Sequence, residues 1–140
     1  MATRSRIGIE LEDGRIRSIY CHWDGYISNN GKLLVDHYTD RHKVNQLIEL
    51  GDISYLAPEV TPSEPHTFDK PQEGVVVAYG RDRGEKSVHH RSDPDRGAFI
   101  RRGYEEYGYL LNKENQWEVI VSDGRGFESL VVPPPAKLKL

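Results

Sequence analysis

Four consecutive residues carry most of the side chains that could do chemistry in this chain. Cys21, His22, Trp23 and Asp24 follow one another, and Cys21 is the only cysteine. A thiolate nucleophile needs a base within hydrogen-bonding distance, and histidine is the usual one. Adjacent strand residues point to opposite faces, so His22 could activate Cys21 only across a bulge, and His37 would otherwise have to serve. We favour the alternative, in which Cys21 and Trp23 are core residues.

The same segment offers a candidate metal site. His22 and Asp24 lie two residues apart on one predicted strand and could together chelate a divalent ion. His37 would complete a set of three ligands with an open fourth position. The competing interpretation is a polar network in which these side chains satisfy buried backbone groups. We favour the network and therefore expect no catalytic residues, metal or cofactor.

A second group of residues suits protein recognition. The chain contains eight tyrosines, and Tyr104, Tyr107 and Tyr109 share one segment with Glu105 and Glu106. Tyrosine offers a large, rigid contact area, and the flanking carboxylates suit a basic protein surface. The segment therefore predicts a partner-binding surface. The alternative is that these tyrosines are half-buried in a sheet.

Arg81 and Arg83 are also candidate partner-binding residues. They follow a predicted strand at 75–80 and could bind an anionic group, or pair with acidic segments of this same chain. Basic charge is concentrated over 75–103, where seven basic residues are mixed with four acidic ones. Because the acids are interleaved and the whole chain has a formal net charge of -3, the sequence disfavours nucleic acid as a partner.

The first element that must position these residues is a hairpin over 6–23. Asp13-Gly14 is a two-residue turn signal, and a turn centred there pairs Glu12 with Arg15. In this register the apolar side chain at the start of the second strand shares a face with the apolar side chains of the first strand. The apolar side chains near the end of the second strand lie on the opposite face. We therefore expect the end of the second strand to need cover on both faces, or a bulge that exchanges them.

Two short helices are predicted after the hairpin, the first beginning after the cap residues 28–30. The second is capped by Thr39 or Asp40, ends before Gly51 and buries residues at helical spacing, namely Val44, Leu47 and Ile48. Strands are expected at 75–80, 104–111 and 116–121, the last two as a second hairpin in which Tyr107, Tyr109 and Leu111 oppose Trp117, Val119 and Val121. A third helix is expected to begin at Ser92-Asp93-Pro94 and to end at Gly103. The pattern predicts an α+β fold, in which an antiparallel sheet of about five strands carries the helix pair on one face.

Composition indicates one folded domain. Hydrophobic residues make up 36% of the 140 residues and charged residues 29%, which is enough for a core. We expect a single domain over 1–132 and a flexible tail over 133–140, which is rich in proline and lysine. One cysteine, no signal-like segment and no apolar run of about 20 residues predict a protein of the reducing cytoplasm, away from membranes.

The run from Ser18 to Leu56 also carries a family resemblance. Its motifs are SIYCHWDGY, then G-x-x-L-x-x-HY, then KV-x-x-LI-x-LGDIS-x-L, and the pieces HTFDKP, VVVAYGRDRGE and EEYGYL follow. Together they resemble a group of small proteins encoded by tailed bacteriophages and prophages, over about Ile7 to Val121. The resemblance implies an accessory protein that acts inside an infected or lysogenic bacterium.

Two functions from different classes follow from these observations. The first is a non-catalytic phage accessory protein that binds and occludes a host protein, such as a component of a defence system, as an anti-CRISPR protein does. The second is a small metal- or cysteine-dependent hydrolase or nucleotide-processing enzyme built on Cys21, His22, Asp24 and His37. A weaker third function is nucleic-acid binding through the arginines of 81–102. We favour the first and leave the oligomeric state open.

Overall fold

A computed structural model describes residues 2–121 and 126–130, in which eight strands form one mixed sheet and four α-helices pack around it. The strands are β1 (Ser5–Glu10), β2 (Ile16–Cys21), β3 (Ile53–Tyr55), β4 (Val77–Ala78), β5 (Arg91–Asp93), β6 (Tyr107–Leu111), β7 (Trp117–Val121) and β8 (Glu128–Ser129). The helices are α1 (Lys32–His37), α2 (Arg41–Glu49), α3 (Tyr79–Arg83) and α4 (Arg96–Arg102), and a π-helical turn, Ile27–Gly31, leads into α1.

The sheet mixes parallel and antiparallel pairs. Its order is β4-β3-β2-β1-β6-β7-β8, with β5 also paired to β2. The β1–β6 and β2–β3 pairs are parallel, and the other pairs between named strands are antiparallel. The α+β class holds, but the prediction of an antiparallel sheet of about five strands with a helix pair is wrong. The β1–β6 pair joins segments roughly 100 residues apart, which no local pattern reveals.

The first hairpin forms, but its register differs by one residue from the predicted one. Glu10 pairs with Ile16, and the turn is closed by bonds from Leu11 N to Arg15 O (2.8 Å) and from Gly14 N to Leu11 O (2.9 Å). The loop therefore has three residues, and only Gly14 needs positive φ, at 93°. A shift of one residue moves every side chain of one strand to the opposite face, so Cys21 shares its face with the apolar residues of β1.

Both faces of the sheet are covered. The larger core lies on the face that carries Ile7, Ile9, Ile19 and Cys21, and α1 and α2 pack there. The smaller core lies under α4, and its buried members are Ile16, Phe99, Tyr104, Leu110 and Ile120. At the end of β2 the expected cover is present on one face only, because the corrected register sends Ile19 and Cys21 into the larger core, whereas Tyr20 on the other face is half-buried. The β1–β2 pair keeps one register throughout, without the face-exchanging bulge offered as the alternative.

The limits of α2 confirm the sequence prediction. The Asp40 carboxylate accepts a hydrogen bond from His42 N (2.9 Å) as the N-cap, and Val44, Leu47 and Ile48 are buried. Gly51 follows the helix with φ of 82°. A Cβ there would collide with the carbonyl oxygen of Val88, so glycine is required on two grounds.

Other helix and strand limits differ from prediction. Residues 28–30 provide no side-chain cap for α1, and Asn30 is buried instead. The strand predicted over 75–80 is limited to β4, and α3 begins at Tyr79. The cause is Asp82, because its carboxylate accepts a hydrogen bond from Ala78 N (2.8 Å) and this local bond favours a helical turn over a longer strand. The third predicted helix, α4, buries Phe99 and is followed by Gly103, as expected. Its predicted start at Ser92-Asp93-Pro94 is wrong, because Arg91–Asp93 pairs with β2 as β5 and Asp95 is the cap residue of the helix.

The second predicted hairpin has the predicted register. Tyr107, Tyr109 and Leu111 pair with Val121, Val119 and Trp117 across the β6–β7 turn. None of the helices in the described ranges is long and apolar enough to cross a membrane. The predicted tail over 133–140 lies outside the described residues.

Candidate functional site

The termini of three neighbouring strands, β2, β1 and β6, lie side by side at one end of the sheet. Ser5, the first residue of β1, pairs with Cys21 at the end of β2 and with Tyr107 at the start of β6. Residues that flank these positions are therefore brought together, and Arg4 O accepts a hydrogen bond from Glu106 N (3.1 Å). We call the resulting patch the strand-end surface. It comprises Arg4, Tyr20, His22, Trp23, Glu105 and Glu106.

Aromatic rings form a connected row on this surface. The hydroxyl of Tyr20 is hydrogen-bonded to His22 Nδ1 at 2.7 Å. The imidazole of His22 in turn meets the indole of Trp23 edge-on, with 4.7 Å between ring centroids. The backbone beneath is fixed to the segment of β3, because His22 N donates to Ile53 O and Trp23 N donates to Ser54 O. The backbone of Trp23 is therefore anchored, and its indole packs against His22 while it faces solvent.

The prediction that Trp23 is a core residue is wrong. Its exposed fraction is 42%, and that of Tyr26, three residues further on, is 40%. These are the exposed large hydrophobic residues of the described chain. The strand ends at Cys21 and the chain bends at Trp23, so the alternation that would have buried the indole stops one residue too early.

A charged group borders the aromatic row. The guanidinium of Arg4 lies 3.5 Å from the Glu106 carboxylate and 3.9 Å from that of Glu105. The backbone N–H of Arg4 also donates to Glu106 Oε1 at 2.6 Å. The two carboxylates, first Glu105 and then Glu106, raise the pKa of Arg4. All three side chains are well exposed, and one negative charge remains in excess.

Cys21 does not join this surface. Its side chain is fully buried in the larger core, where Asn30 Nδ2 donates to the sulfur at 3.4 Å and the thiol contacts Trp23 O at 3.5 Å. Burial raises the pKa of the thiol to about 11, which is the opposite of what a nucleophilic cysteine requires. Its neighbour His22 lies on the other face of the strand, so the two cannot act as a catalytic pair.

The three candidate metal ligands are not brought together. Asp24 is exposed in the turn after β2 with φ of 56°, and its carbonyl accepts from Asn29 Nδ2 at 3.1 Å. His37 is exposed at the end of α1, beside the larger core. In residues 2–121 and 126–130, no three His, Cys, Asp or Glu side chains are arranged to hold a metal ion. The arrangement therefore favours neither the hydrolase nor the metal hypothesis.

The predicted partner-binding tyrosines are largely structural. Tyr104 is buried, and its hydroxyl donates to Val121 O at 2.8 Å. Tyr109 is also buried and donates to Gly25 O at 2.6 Å, and burial raises its pKa. Tyr107 is half-buried and stacks on Tyr109. Of that segment, the two glutamates lie on the strand-end surface and the buried tyrosines do not.

Arg81 and Arg83 are engaged within the chain. Arg81 donates to the carbonyl oxygens of Val60 (2.6 Å) and Val76 (2.7 Å) and thereby joins the proline-rich segment over 57–74 to the residue that precedes β4. Arg83 lies over the rings of Phe68 and Tyr79 at 4.3 and 4.9 Å. These contacts favour internal pairing over the predicted role in partner binding.

The same holds for the wider basic segment. Five of its seven basic side chains form ion pairs within the chain, namely Arg81, Arg83, Arg91, Arg96 and Arg102. Arg96 is the clearest case, because it binds the carboxylates of both Glu10 and Glu118. Charges that are neutralised in this way are poorly suited to phosphate contacts, so the surface gives no support to nucleic-acid binding.

An open groove of about 540 Å³ lies elsewhere, between the end of α2 and the segment after α3. Leu50 and Val88 contribute its apolar lining, and Glu49, Arg81 and Lys86 bring charges of both signs. It contains none of the residues proposed for catalysis or metal binding. With no clustered reactive group, the groove indicates no particular chemistry.

Sequence reasoning missed Arg4 and the exposed state of Trp23. The spacing of Tyr20 and His22 on one strand face was a usable signal, whereas the approach of Arg4 to Glu105 depends on the β1–β6 pair. In comparisons with protein-family models, with curated proteins and with solved structures, nothing matches the chain. The functional argument therefore depends on the geometry of the strand-end surface.

Proposed function

We propose that this protein acts without catalysis, by binding another protein through its strand-end surface and occluding a surface of that partner. The observation that carries the proposal is the exposed indole of Trp23, which packs edge-on against His22 above a hydrogen-bonded backbone. Tryptophan is enriched among the few residues that dominate binding energy at protein interfaces. An indole that is already held by His22 and by its own backbone bonds loses little conformational entropy when a partner covers it.

The charged residues around the indole give the surface its selectivity. Arg4, Glu105 and Glu106 are exposed, and charges at the rim of an interface act mainly on the rate of association and on the choice of partner. The excess of negative charge favours a partner whose rim is basic. Tyr26, three residues after Trp23, offers a second exposed aromatic side chain.

The chemically versatile residues have structural uses that support this proposal. The thiol of Cys21 is buried among core residues, and His22 is hydrogen-bonded to Tyr20 and packed against Trp23. A surface that offers contact area and charge, with its one thiol turned inward, is better suited to binding than to turnover.

The resemblance to small phage and prophage proteins supplies the biological setting of the proposal. In that setting the protein acts in the bacterial cytoplasm, and its partner is a host protein, for instance a component of a defence system that the phage must inhibit. A single cysteine without a disulfide partner suits a reducing compartment.

The test begins with affinity capture from a lysate of the host, with mass spectrometry to identify the partner, followed by calorimetry on the purified pair. Trp23→Ala should weaken binding by about 30-fold or more, the effect of an interface residue worth about 2 kcal/mol. Asn45→Ala is the matched control, because Asn45 is exposed on α2, which packs against the larger core. Its affinity should equal that of the wild type.

Two results would overturn the proposal. One is an unchanged affinity for a folded Trp23→Ala variant. The other is a His22→Ala variant that keeps its stability and still binds the partner but has lost its biological effect, since a group needed after binding implies chemistry.

A further inference from the structure

Arg6 is an arginine that forms no ion pair with the residues that the structure describes. It lies on β1, where its Nε donates to Ser18 Oγ at 3.0 Å and its Nη2 donates to Ser18 O at 3.1 Å. Both acceptors are neutral, and in the described ranges Arg6 forms no ion pair and Nη1 no hydrogen bond. The side chain is nonetheless partly buried. Arginines removed from water are normally paired with an anion.

Two further arginines bring their positive charge to the same region. Arg91 Nε and Arg102 Nη1 each donate to one carboxylate oxygen of Asp93, at 2.9 and 2.8 Å. Asp93 is fully buried and both of its oxygens are used. Burial first, and then repulsion from Arg91, lowers the pKa of Arg6 to about 10. The positive charge at Arg6 is therefore not balanced by Asp93.

Asp52 is the second carboxylate among the charged groups that act most strongly on Arg6, and counting these groups leaves one positive charge in excess. Asp52 Oδ1 accepts from Tyr20 N at 2.9 Å, where it fills a gap in the strand pairing beside β2. The guanidinium groups of Arg6, Arg91 and Arg102 thus share two carboxylates, those of Asp52 and Asp93. Both carboxylates attract Arg6, and this attraction is opposed by burial of Arg6 and by repulsion from the other two arginines.

The location of Arg6 links it to the strand-end surface. Arg6 pairs across the sheet with Tyr20, so both residues lie on the same face, and the ring of Tyr20 begins the aromatic row that ends at Trp23. A partner that covers the row can therefore place a second group beside Arg6.

We propose that Arg6 is the binding site for a carboxylate of the partner protein, an Asp or Glu side chain that reaches its guanidinium while neighbouring apolar residues cover Trp23. This inference rests on the proposed function and specifies the chemistry of the partner. A carboxylate carries the single negative charge that matches the excess, and its planar oxygens suit the guanidinium fork. The basic rim expected opposite Glu105 and Glu106 and the acidic group opposite Arg6 would fix the orientation of the partner.

The site can be tested before the partner is known. Acetate serves as the probe, added to ¹⁵N-labelled protein against chloride at constant ionic strength, while the arginine Nε–H signals are followed by NMR. The Arg6 signal is identified as the one missing from Arg6→Met. It should shift saturably with acetate, and the signal of Arg15, which lies in the turn at the other end of the hairpin, should not. The absence of a saturable shift overturns the site, and saturation by inorganic phosphate alone overturns the choice of a carboxylate.

The partner-bound state separates this inference from the proposed function. Arg6→Met should lower the affinity by about 10- to 100-fold and flatten its salt dependence, as expected for the loss of a charge-assisted hydrogen bond. Arg15→Met removes the same charge and should leave the affinity unchanged. If Arg6→Met does not fold, Arg6→Lys keeps the charge, loses the planar fork and should still weaken binding. If Trp23→Ala weakens binding and neither Arg6 variant does, the inference fails alone; if none of them does, both proposals fail.

Discussion

The hydroxyl group of Tyr109 donates a hydrogen bond of 2.6 Å to the carbonyl oxygen of Gly25. On its other side, Gly25 N donates to Thr3 O at 2.8 Å, and a Cβ at Gly25 would lie 2.8 Å from that of Ser5. The turn that follows Trp23 is therefore held between β6 and the residues around the start of β1. Because this turn directly follows the exposed indole, the shape of the strand-end surface depends on a buried side chain 84 residues away.

Tyr109→Phe should destabilise the fold by about 1–2 kcal/mol, because it leaves the buried carbonyl of Gly25 without its donor. The measurement is the free energy of unfolding from a urea titration. Tyr107→Phe is the control, since Tyr107 is half-buried and its hydroxyl forms no hydrogen bond within 2–121 and 126–130. It should change stability by less than about 0.5 kcal/mol. Equal losses in the two variants would contradict the role assigned to the Tyr109 hydroxyl.

The two tryptophans should behave in opposite ways. Trp117 is buried and its Nε1 donates to Tyr38 O at 3.0 Å, so Trp117→Ala should cost about 3–5 kcal/mol. Trp23→Ala should cost less than about 1 kcal/mol, because the indole is exposed. Chemical denaturation of both variants checks this. A large loss for Trp23→Ala would mean that its effect on binding cannot be separated from folding.

The Cys21 thiol should be unreactive in the folded protein. With a pKa near 11, it is almost entirely protonated at neutral pH, and the thiolate is the reactive form. Labelling by a thiol reagent at pH 7.5 should be slow without denaturant and rapid in concentrated urea, which serves as the control. Rapid labelling under native conditions would bring back the cysteine-dependent enzyme.

Acid should destabilise the protein through Glu10 and Glu118. Their hydrogen bonds from Arg96 hold the pKa of both carboxyls below the ordinary value of 4.5. When the pKa of a carboxyl group is lower in the folded state than in the unfolded chain, the group stabilises the fold fully at pH values above its unfolded-state pKa. This stabilisation is lost as the pH falls through the folded-state pKa. We expect the loss to begin below about pH 4.5 and to continue as the two groups are protonated.

Removing the arginine isolates this effect. Arg96→Met should cost about 2–3 kcal/mol at pH 7, less than the loss of a partner from a fully buried pair, because Arg96 is 36% exposed. At pH 3 the difference from the wild type should shrink, and urea titrations at the two pH values measure it. Arg101→Met, in which an exposed arginine of the same helix is changed, should show little difference at either pH. A pH-independent loss for Arg96→Met would indicate a packing effect.

Local signals were sufficient where the structure is local. The limits of α2 depend on the side-chain cap at Asp40 and on the glycine at position 51, and both residues lie directly beside the helix. The register of β6 and β7 follows from a short turn between two apolar alternations. The first hairpin shows that a local turn signal can leave the loop length undecided by one residue. Asp13-Gly14 is compatible with loops of two or three residues, and the difference of one residue decides which face Cys21 occupies.

The candidate site was predicted only in part for the same physical reason. Tyr20 and His22 share a strand face by periodicity, and sequence alone places them together. The exposure of Trp23 depends on where β2 stops, and the burial of Tyr109 depends on cover from distant residues.

The amino-acid sequence by itself determined the α+β class, the cap and end of α2 and the neighbours along each strand, because these depend on backbone preferences and side-chain spacing over a few residues. Only the tertiary structure decided that β1 and β6 lie side by side. That parallel pair brings Arg4 to Glu105 and Glu106 and buries Tyr109 beneath the turn after Trp23. Such contacts between distant segments depend on how the faces of the sheet are covered, and burial and charge balance are properties of the assembled surface rather than of any one segment.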